Sequence, residues 1–252
     1  MGLDGKRISS KDEWKCRREE IGAMYEKIMF GEKPRHPEKV EGTYSDGKLT
    51  IKVTNKGKSG TFSVTVSNAG TKDNPKPALI SFGGGMFGNG CGSLGKATDG
   101  LDIAKIVINP DDVAPESGGG MFYEVNCGSN AGTIIAWAWG VSRIIDVLEA
   151  SPEIGIDVHH LAMTGCSRWG KGTLAVGAFD ALGVSDNYTY SQEGGHDHCA
   201  LPNGQFDEVQ DFINKFLLGK DAKTGKIDYS KNTEPINWKK SDWIDWETPT
   251  LN

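Results

Sequence analysis

The sequence predicts an α/β fold in which a parallel sheet, covered by helices, follows an antiparallel meander. Three short apolar runs have the continuous hydrophobicity of strands that are buried on both faces. These runs are 77–82, 103–108 and 161–164. Between the second and third runs, residues 133–150 carry an apolar stripe at helical spacing, which indicates a crossover helix.

The meander is predicted from three upstream segments that alternate apolar and polar residues and are separated by turn sequences. These segments are 42–45, 49–54 and 61–67. Before them, Ser10 and Glu13 form a capping box at the start of a helix that Gly31 ends. After the core, residues 188–191 predict a further strand, and 205–218 predict a helix that stops at Gly219. The whole chain, 1–252, is expected to be a single domain.

Composition excludes several classes of function. The net charge of −6 comes without a basic block, so a nucleic-acid partner is not expected. Because no apolar run approaches the ~20 residues of a membrane span, and the first residues resemble no signal peptide, neither a membrane partner nor a leader is expected. The five cysteines lack CxxC spacing, which argues against a zinc ribbon. The chain is expected to be a monomer.

The sharpest motif follows the third apolar run. Gly165, Ser167 and Gly170 give Gly-x-Ser-x-x-Gly, one residue longer than the usual spacing, followed by a small, apolar helix start. A strand that turns abruptly into a helix, with serine at the apex, is the nucleophile elbow of α/β-hydrolases. Ser167 is therefore the candidate nucleophile.

Two other interpretations fit the same residues. Residues 165–171 match GxxxxGK, the start of a phosphate-binding loop, although Gly172 stands where a serine or threonine would hold magnesium. A structural turn without chemistry is the second alternative.

His198 lies on a late loop between a strand and a final helix, where α/β-hydrolases carry their base. The alternative is a metal cluster of His196, His198 and Cys199, but three ligands within four residues match no ordinary zinc spacing. Neither a metal nor a cofactor is predicted.

Cysteines adjoin both candidate catalytic residues, since Cys166 precedes Ser167 and Cys199 follows His198. A disulfide between them would bring the serine and the histidine within reach of each other, whereas two buried free thiols are the alternative. The pairing of Cys16, Cys91 and Cys127 stays open.

A third glycine-rich run, residues 83–90, follows the first core strand. Its Gly-x-Gly-x-x-Gly is a weak match to a dinucleotide site because no helical periodicity follows. In a hydrolase, an oxyanion-hole loop would lie at this place.

The segments 164–172 and 194–199 resemble the signature segments of the glucuronoyl esterases, carbohydrate esterase family 15, and the resemblance extends through 12–21, 136–146, 212–219 and 243–251. It implies an α/β-hydrolase three-layer sandwich and a secreted, metal-free enzyme. The implied reaction cleaves the ester between 4-O-methyl-glucuronic acid of xylan and a lignin alcohol.

The resemblance also implies roles for particular residues. Ser167 would be the nucleophile, His198 the base, Arg168 an oxyanion-hole contributor and Lys171 a contact to the sugar hydroxyls. The family also has a disulfide equivalent to Cys166 with Cys199.

The chain departs from this family after the elbow. The stretch between Ser167 and His198 has room for a single strand, and the family's glutamate segment is missing, as though a block were deleted near 180/181. We therefore expect an incomplete central sheet, an exposed apolar patch and a missing catalytic acid. Glu193, Asp197 and Asp207 are the possible substitutes, each of which also fits a solvated carboxylate. A non-catalytic uronosyl-binding derivative is the alternative function.

Overall fold

The computed structural model describes residues 5–83, 94–173, 191–193, 195–198, 200–224 and 229–231. The strands are β1 (Lys39–Ser45), β2 (Lys48–Asn55), β3 (Lys58–Ser67), β4 (Lys76–Phe82), β5 (Ala104–Ile108), β6 (Ile156–Thr164), β7 (Ser191–Glu193) and β8 (Tyr229–Lys231). The helices are α1 (Lys11–Tyr25), α2 (Met121–Val125), α3 (Thr133–Ala150), α4 (residues 168–173) and α5 (Phe206–Phe216).

A six-stranded sheet with the order β1-β2-β3-β5-β4-β6 forms the centre of the fold. The first three strands are antiparallel neighbours, as the alternating pattern predicts, and β3 pairs with β5 in the antiparallel sense. Strand β4 lies between β5 and β6 and is parallel to both. Since parallel strands end at one edge of a sheet, the segments that follow β4, β5 and β6 begin side by side.

Helices cover both faces of this sheet, so the predicted three-layer arrangement is confirmed. On one face, α2 and α3 pack against a large cluster that includes Ile51, Ile80 and Ile106. On the other face, Ile213 and Leu217 at the end of α5 pack against Leu79 and Ile103. Alternation along β4 explains the division, because successive side chains of a strand point to opposite faces.

Helix α3 begins and ends at the residues that its periodicity predicts. It is buried along most of its length and carries two tryptophans, Trp137 and Trp139, of which neither is more than 1% exposed. The indole Nε1 of Trp137 donates a hydrogen bond of 2.8 Å to the carbonyl of Ala114. A buried Trp N–H needs such a partner, so this bond also fixes the loop after β5 against the helix.

Strand β6 is longer than predicted, because it begins at Ile156 rather than Leu161. Asp157, His159 and His160 interrupt the apolar run, which hid the first half of the strand from a search for buried strands. Within the described sheet, β6 is an edge strand, and an edge tolerates polar side chains that a central strand would not. The ring Nδ1 of His160 lies 2.7 Å from a carboxylate oxygen of Asp157.

Helix α1 has the predicted capping box, in which Glu13 accepts from the backbone amides of Ser9 and Ser10. These hydrogen bonds, the Ser9 amide first, hold the pKa of the Glu13 carboxylate below its ordinary value. A π-helical turn, Glu26–Phe30, extends the helix to Gly31, whose φ of 75° ends it.

Exposed apolar side chains lie mainly on this helical segment, and none lies on β6, so the patch expected from missing sheet strands stays a prediction. Among the described residues, the large apolar side chains that are exposed are Trp14, Met24, Tyr25, Ile28, Met29 and Tyr44.

Candidate active site

The corner after β6 has the geometry of a nucleophile elbow. The strand ends at Thr164, residues 168–173 are helical, and Ser167 stands between them with a φ of 55°. A positive φ is strained for a non-glycine residue and occurs mostly where a site requires it. The side chain of Ser167 is exposed at the apex, which is how an elbow presents a hydroxyl above the sheet.

The glycines of the motif allow the strand end and the helix start to approach closely. A Cβ on Gly165 would lie 2.5 Å from the carbonyl oxygen of Trp169, and one on Gly170 would lie 3.1 Å from that of Gly165. The amides of Trp169 and Gly170 both donate to the carbonyl of Cys166, at 2.9 and 3.1 Å. The turn is therefore hydrogen-bonded into α4, and position 165 has no room for a side chain.

Gly172 explains why the motif is not a phosphate-binding loop. A Cβ at this position would lie 3.0 Å from Phe82 Cε2 and 3.3 Å from Trp137 Cε3. Position 172 thus faces the core between β4 and α3, whereas a magnesium-binding hydroxyl must face the ligand. The glycine serves helix–sheet packing, and the match to GxxxxGK is a consequence of that packing.

Cys166 is disulfide-bonded. Its predicted partner, Cys199, lies outside the described residues, as does Cys91, so the pairing stays a prediction. Cys16 and Cys127 are exposed free thiols, so neither of them is bonded to Cys91.

His198 lies in an exposed turn. Within the described residues, neither its ring nor the hydroxyl of Ser167 makes a hydrogen bond, so the two side chains are not joined in this state. Catalytic hydrogen bonds are often loose without substrate, and the pairing of His198 with Ser167 stays a prediction.

The possible substitutes for the acid are exposed or outside the described side chains. Asp197 is exposed beside His196, whose ring Nδ1 lies 2.9 Å from the Asp197 carbonyl. Asp207 is in the first turn of α5, where a carboxylate stabilises a helix start. The side chain of Glu193 lies outside the described part.

Arg168 and Lys171 are on the exposed side of the first turns of α4. Nη1 of Arg168 donates to the carboxylate of Glu116, and the two residues form an ion pair. Sequence reasoning missed Glu116, which is 52 positions from Arg168. The available signal was an acidic residue on the segment after β5, which starts at the same sheet edge as the elbow.

Of the glycine-rich run 83–90, only Gly83 is described, and its amide donates to the carbonyl of Ile108 at 2.9 Å. In the described ranges, no three His, Cys, Asp or Glu side chains lie close enough to share a metal ion. Every helix in those ranges is too short or too polar to cross a bilayer.

Comparison with known proteins gives consistent results. Residues 51–196 match the family described as "Glucuronyl esterase, fungi". The 4-O-methyl-glucuronoyl methylesterase of Hypocrea jecorina is 28% identical over 360 residues, with 99% of this chain and 75% of the relative covered. The glucuronoyl esterase catalytic domain from the same fungus has a TM-score of 0.80 at 26% identity, covering 100% of this chain and 95% of that one.

A serine-to-alanine mutant of the glucuronoyl esterase from Sporotrichum thermophile, solved with methyl 4-O-methyl-β-D-glucopyranuronate, has a TM-score of 0.77 at 24% identity. That alignment covers 96% of this chain and 91% of the other.

The sheet order, the two helical layers and the strained corner define an α/β-hydrolase. Because the family match extends over more than half of its 252 residues, the chain belongs to the glucuronyl esterase family.

Proposed function

We propose that this chain hydrolyses carboxylic esters of 4-O-methyl-glucuronic acid, with Ser167 as the nucleophile. The observation that carries the proposal is the positive φ of Ser167 at an exposed corner between a strand and a helix. A strained serine is kept there only if the surrounding structure holds it, and the hydrogen bonds to Cys166 and the missing Cβ at Gly165 do so.

The reaction follows from the residues at the corner. The hydroxyl of Ser167 attacks the ester carbonyl while the ring of His198 takes its proton. The negative charge that develops on the carbonyl oxygen is stabilised by the guanidinium of Arg168, which adjoins the nucleophile. His198 then gives the proton to the leaving alcohol, and water hydrolyses the acyl-serine to release the uronic acid and restore the serine.

The substrate class is inferred from the relatives. The relative from Hypocrea jecorina is named for the 4-O-methyl-glucuronoyl group, which in this chain would be the acid side of the ester. Lys171, one turn beyond Ser167 on α4, is exposed and suits a contact to sugar hydroxyls. Glucuronoxylan joined to lignin alcohols would be the natural ester, and the enzyme would act outside the cell without a cofactor.

A second part of the proposal concerns residues missing from this chain. The alignment with the Hypocrea jecorina relative is 360 residues long, while the chain has 252, so the relative has a sizeable block without a counterpart. The position of β6 at the edge of the described sheet supports a deletion near 180/181, after the elbow helix, within a single domain. Loss of the catalytic acid with that block would lower turnover by about four orders of magnitude.

The alternative function is a non-catalytic protein that binds uronosyl carbohydrate. The 360-residue alignment, which leaves part of the relative without a counterpart in this chain of 252 residues, favours it. Both functions would use Arg168 and Lys171 to hold an acidic, polyhydroxylated ligand.

Hydrolysis of the benzyl ester of glucuronic acid separates the two functions. The enzyme should release benzyl alcohol, and Ser167→Ala should lower the rate further by about 100-fold, which is what remains of the triad's ~10⁶-fold contribution after loss of the acid. Ser117→Ala, which removes an exposed hydroxyl on the neighbouring loop, should leave the rate unchanged. Turnover that survives Ser167→Ala would contradict the esterase mechanism, and no turnover in either protein would support the binding protein.

A further inference from the structure

An ion pair joins Glu116 to Arg168, the residue that directly follows the candidate nucleophile. Nη1 of Arg168 donates to a carboxylate oxygen of Glu116, and the side chains are 47% and 41% exposed. Both groups are therefore accessible to solvent and to a ligand that reaches them. Glu116 adds a negative charge to a site whose proposed ligand becomes an anion during the reaction.

The backbone on either side of Glu116 is anchored, so the carboxylate is held at this place. The carbonyl of Ala114 accepts from Trp137 Nε1 at 2.8 Å, and the carbonyl of Val113 accepts from the amide of Phe122 at 2.9 Å. The amide of Gly118 donates to the carbonyl of Pro115 at 3.0 Å, which closes a turn with Glu116 inside it. The bond from Trp137 therefore connects this segment to α3, and the bond from Phe122 connects it to α2.

We propose that Glu116 is a positioning residue that orients the guanidinium of Arg168 and weakens binding of the uronate product. This inference rests on the proposed function. The carboxylate of Glu116, which accepts from Nη1 of Arg168, limits the rotation of the guanidinium.

The charge of Glu116 acts differently on substrate and product. The ester carbonyl is neutral, so Glu116 does not repel it. The product is a carboxylate, for which arginine is a strong bidentate partner. Glu116 already accepts from Nη1 of Arg168, and its negative charge repels the uronate product. Both effects favour release of the acid after hydrolysis.

The test measures binding and does not depend on turnover. In a Ser167→Ala background, isothermal titration calorimetry at pH 7 gives the affinity for 4-O-methyl-glucuronic acid and for its methyl ester. Glu116→Gln keeps an acceptor oxygen for Arg168 and removes the charge. Asp111→Asn is the matched control, because Asp111 is an exposed carboxylate on the same segment and makes no ion pair within the described residues.

Glu116→Gln should increase affinity for the acid about threefold, the size expected of an exposed charge pair, and leave that for the ester unchanged. Asp111→Asn should change neither affinity, and Arg168→Gln should abolish the effect of Glu116→Gln. The inference would be overturned if Glu116→Gln and Asp111→Asn changed the affinity for the acid equally. It would also be overturned if Glu116→Gln raised the affinity for the acid and for the ester equally. A protein that binds neither ligand would overturn the proposed function as well.

Discussion

Strands β5 and β6 differ in how the sheet supports them. Strand β5 is paired on both sides, and Ala104, Ile106 and Ile108 are completely buried. Strand β6 leads to the candidate nucleophile, yet in the described sheet it has one neighbour and most of its residues are only partly buried. Among the residues that the structure describes, the support of Ser167 comes through β4, α3 and the packing of Gly172.

This difference separates presentation of the nucleophile from its chemical activation. The elements before Ser167 fix its backbone, and the loop after β5 brings Glu116 to Arg168, the next residue in the chain. In the proposed mechanism, activation depends on His198 and an acid, both from the region after the elbow. A chain that has lost residues after the elbow would keep the first property and be impaired in the second.

The largest expected effect comes from truncating one aliphatic side chain on each strand. Ile106→Ala should lower the free energy of unfolding by about 2–5 kcal/mol, because it leaves a cavity in the core. Leu161→Ala removes the same number of carbons from β6 and should cost less than half as much, since Leu161 is only partly buried. Urea unfolding monitored by tryptophan fluorescence measures both, and equal losses would show that β6 is as well supported as β5.

A smaller effect is expected at the packing of the elbow helix. Gly172→Ser should lower the free energy of unfolding by about 1–3 kcal/mol, because the new Cβ would lie 3.0 Å from Phe82 and 3.3 Å from Trp137. Gly22→Ser in α1 is the control, since a Cβ there meets nothing within 4 Å. Thermal unfolding with and without ATP and magnesium is the measurement. Stabilisation of the Gly172→Ser protein by the nucleotide would revive the phosphate-binding interpretation.

The smallest effect concerns the polar pair on β6. Burial raises the pKa of Asp157, but hydrogen bonds from the His160 ring and the His159 amide outweigh it, so the pKa lies below its ordinary value. A carboxylate whose pKa falls on folding stabilises the protein above its unfolded pKa, ~3.9 for aspartate, and this stability is lost as the pH falls toward the folded pKa.

Asp157→Asn should therefore lower the free energy of unfolding at pH 7 by less than about 1 kcal/mol. This loss should shrink as the pH falls below the unfolded pKa of aspartate toward the folded pKa of Asp157. Urea midpoints between pH 7 and 3 test this, with Asp111→Asn as the control for removal of an exposed carboxylate. A difference in urea midpoint between Asp157→Asn and the unsubstituted protein that stays constant from pH 7 to pH 3 would contradict the lowered pKa of Asp157.

Most of the fold could be predicted because its elements have regular patterns. The apolar stripe of α3 predicted where this helix begins and ends. The alternation of apolar and polar residues between turn sequences predicted the three strands of the meander. The first half of β6 could not be found, since Asp157, His159 and His160 have the polarity of a loop and only the strand's place at an edge explains them. The order of the strands likewise depends on packing between distant segments.

The site could be predicted where chemistry and backbone geometry are local. The glycine spacing indicated the corner, and the φ of Ser167 confirms its geometry. Glu116 was missed because its contact with Arg168 joins the loop after β5 to helix α4, which only the assembled sheet brings together. Gly172 was seen as a defect in a phosphate-binding motif, whereas its role depends on Phe82 and Trp137, which are distant in sequence.

The central claim is that the serine at the corner after β6 is the nucleophile. A fluorophosphonate, which reacts with activated serines, followed by peptide mass mapping, tests this claim most directly. We predict a single adduct on the peptide that contains Ser167, and none in the Ser167→Ala protein. Esterase activity that persists while Ser167 stays unmodified, or an adduct on another serine that abolishes the activity, would contradict it.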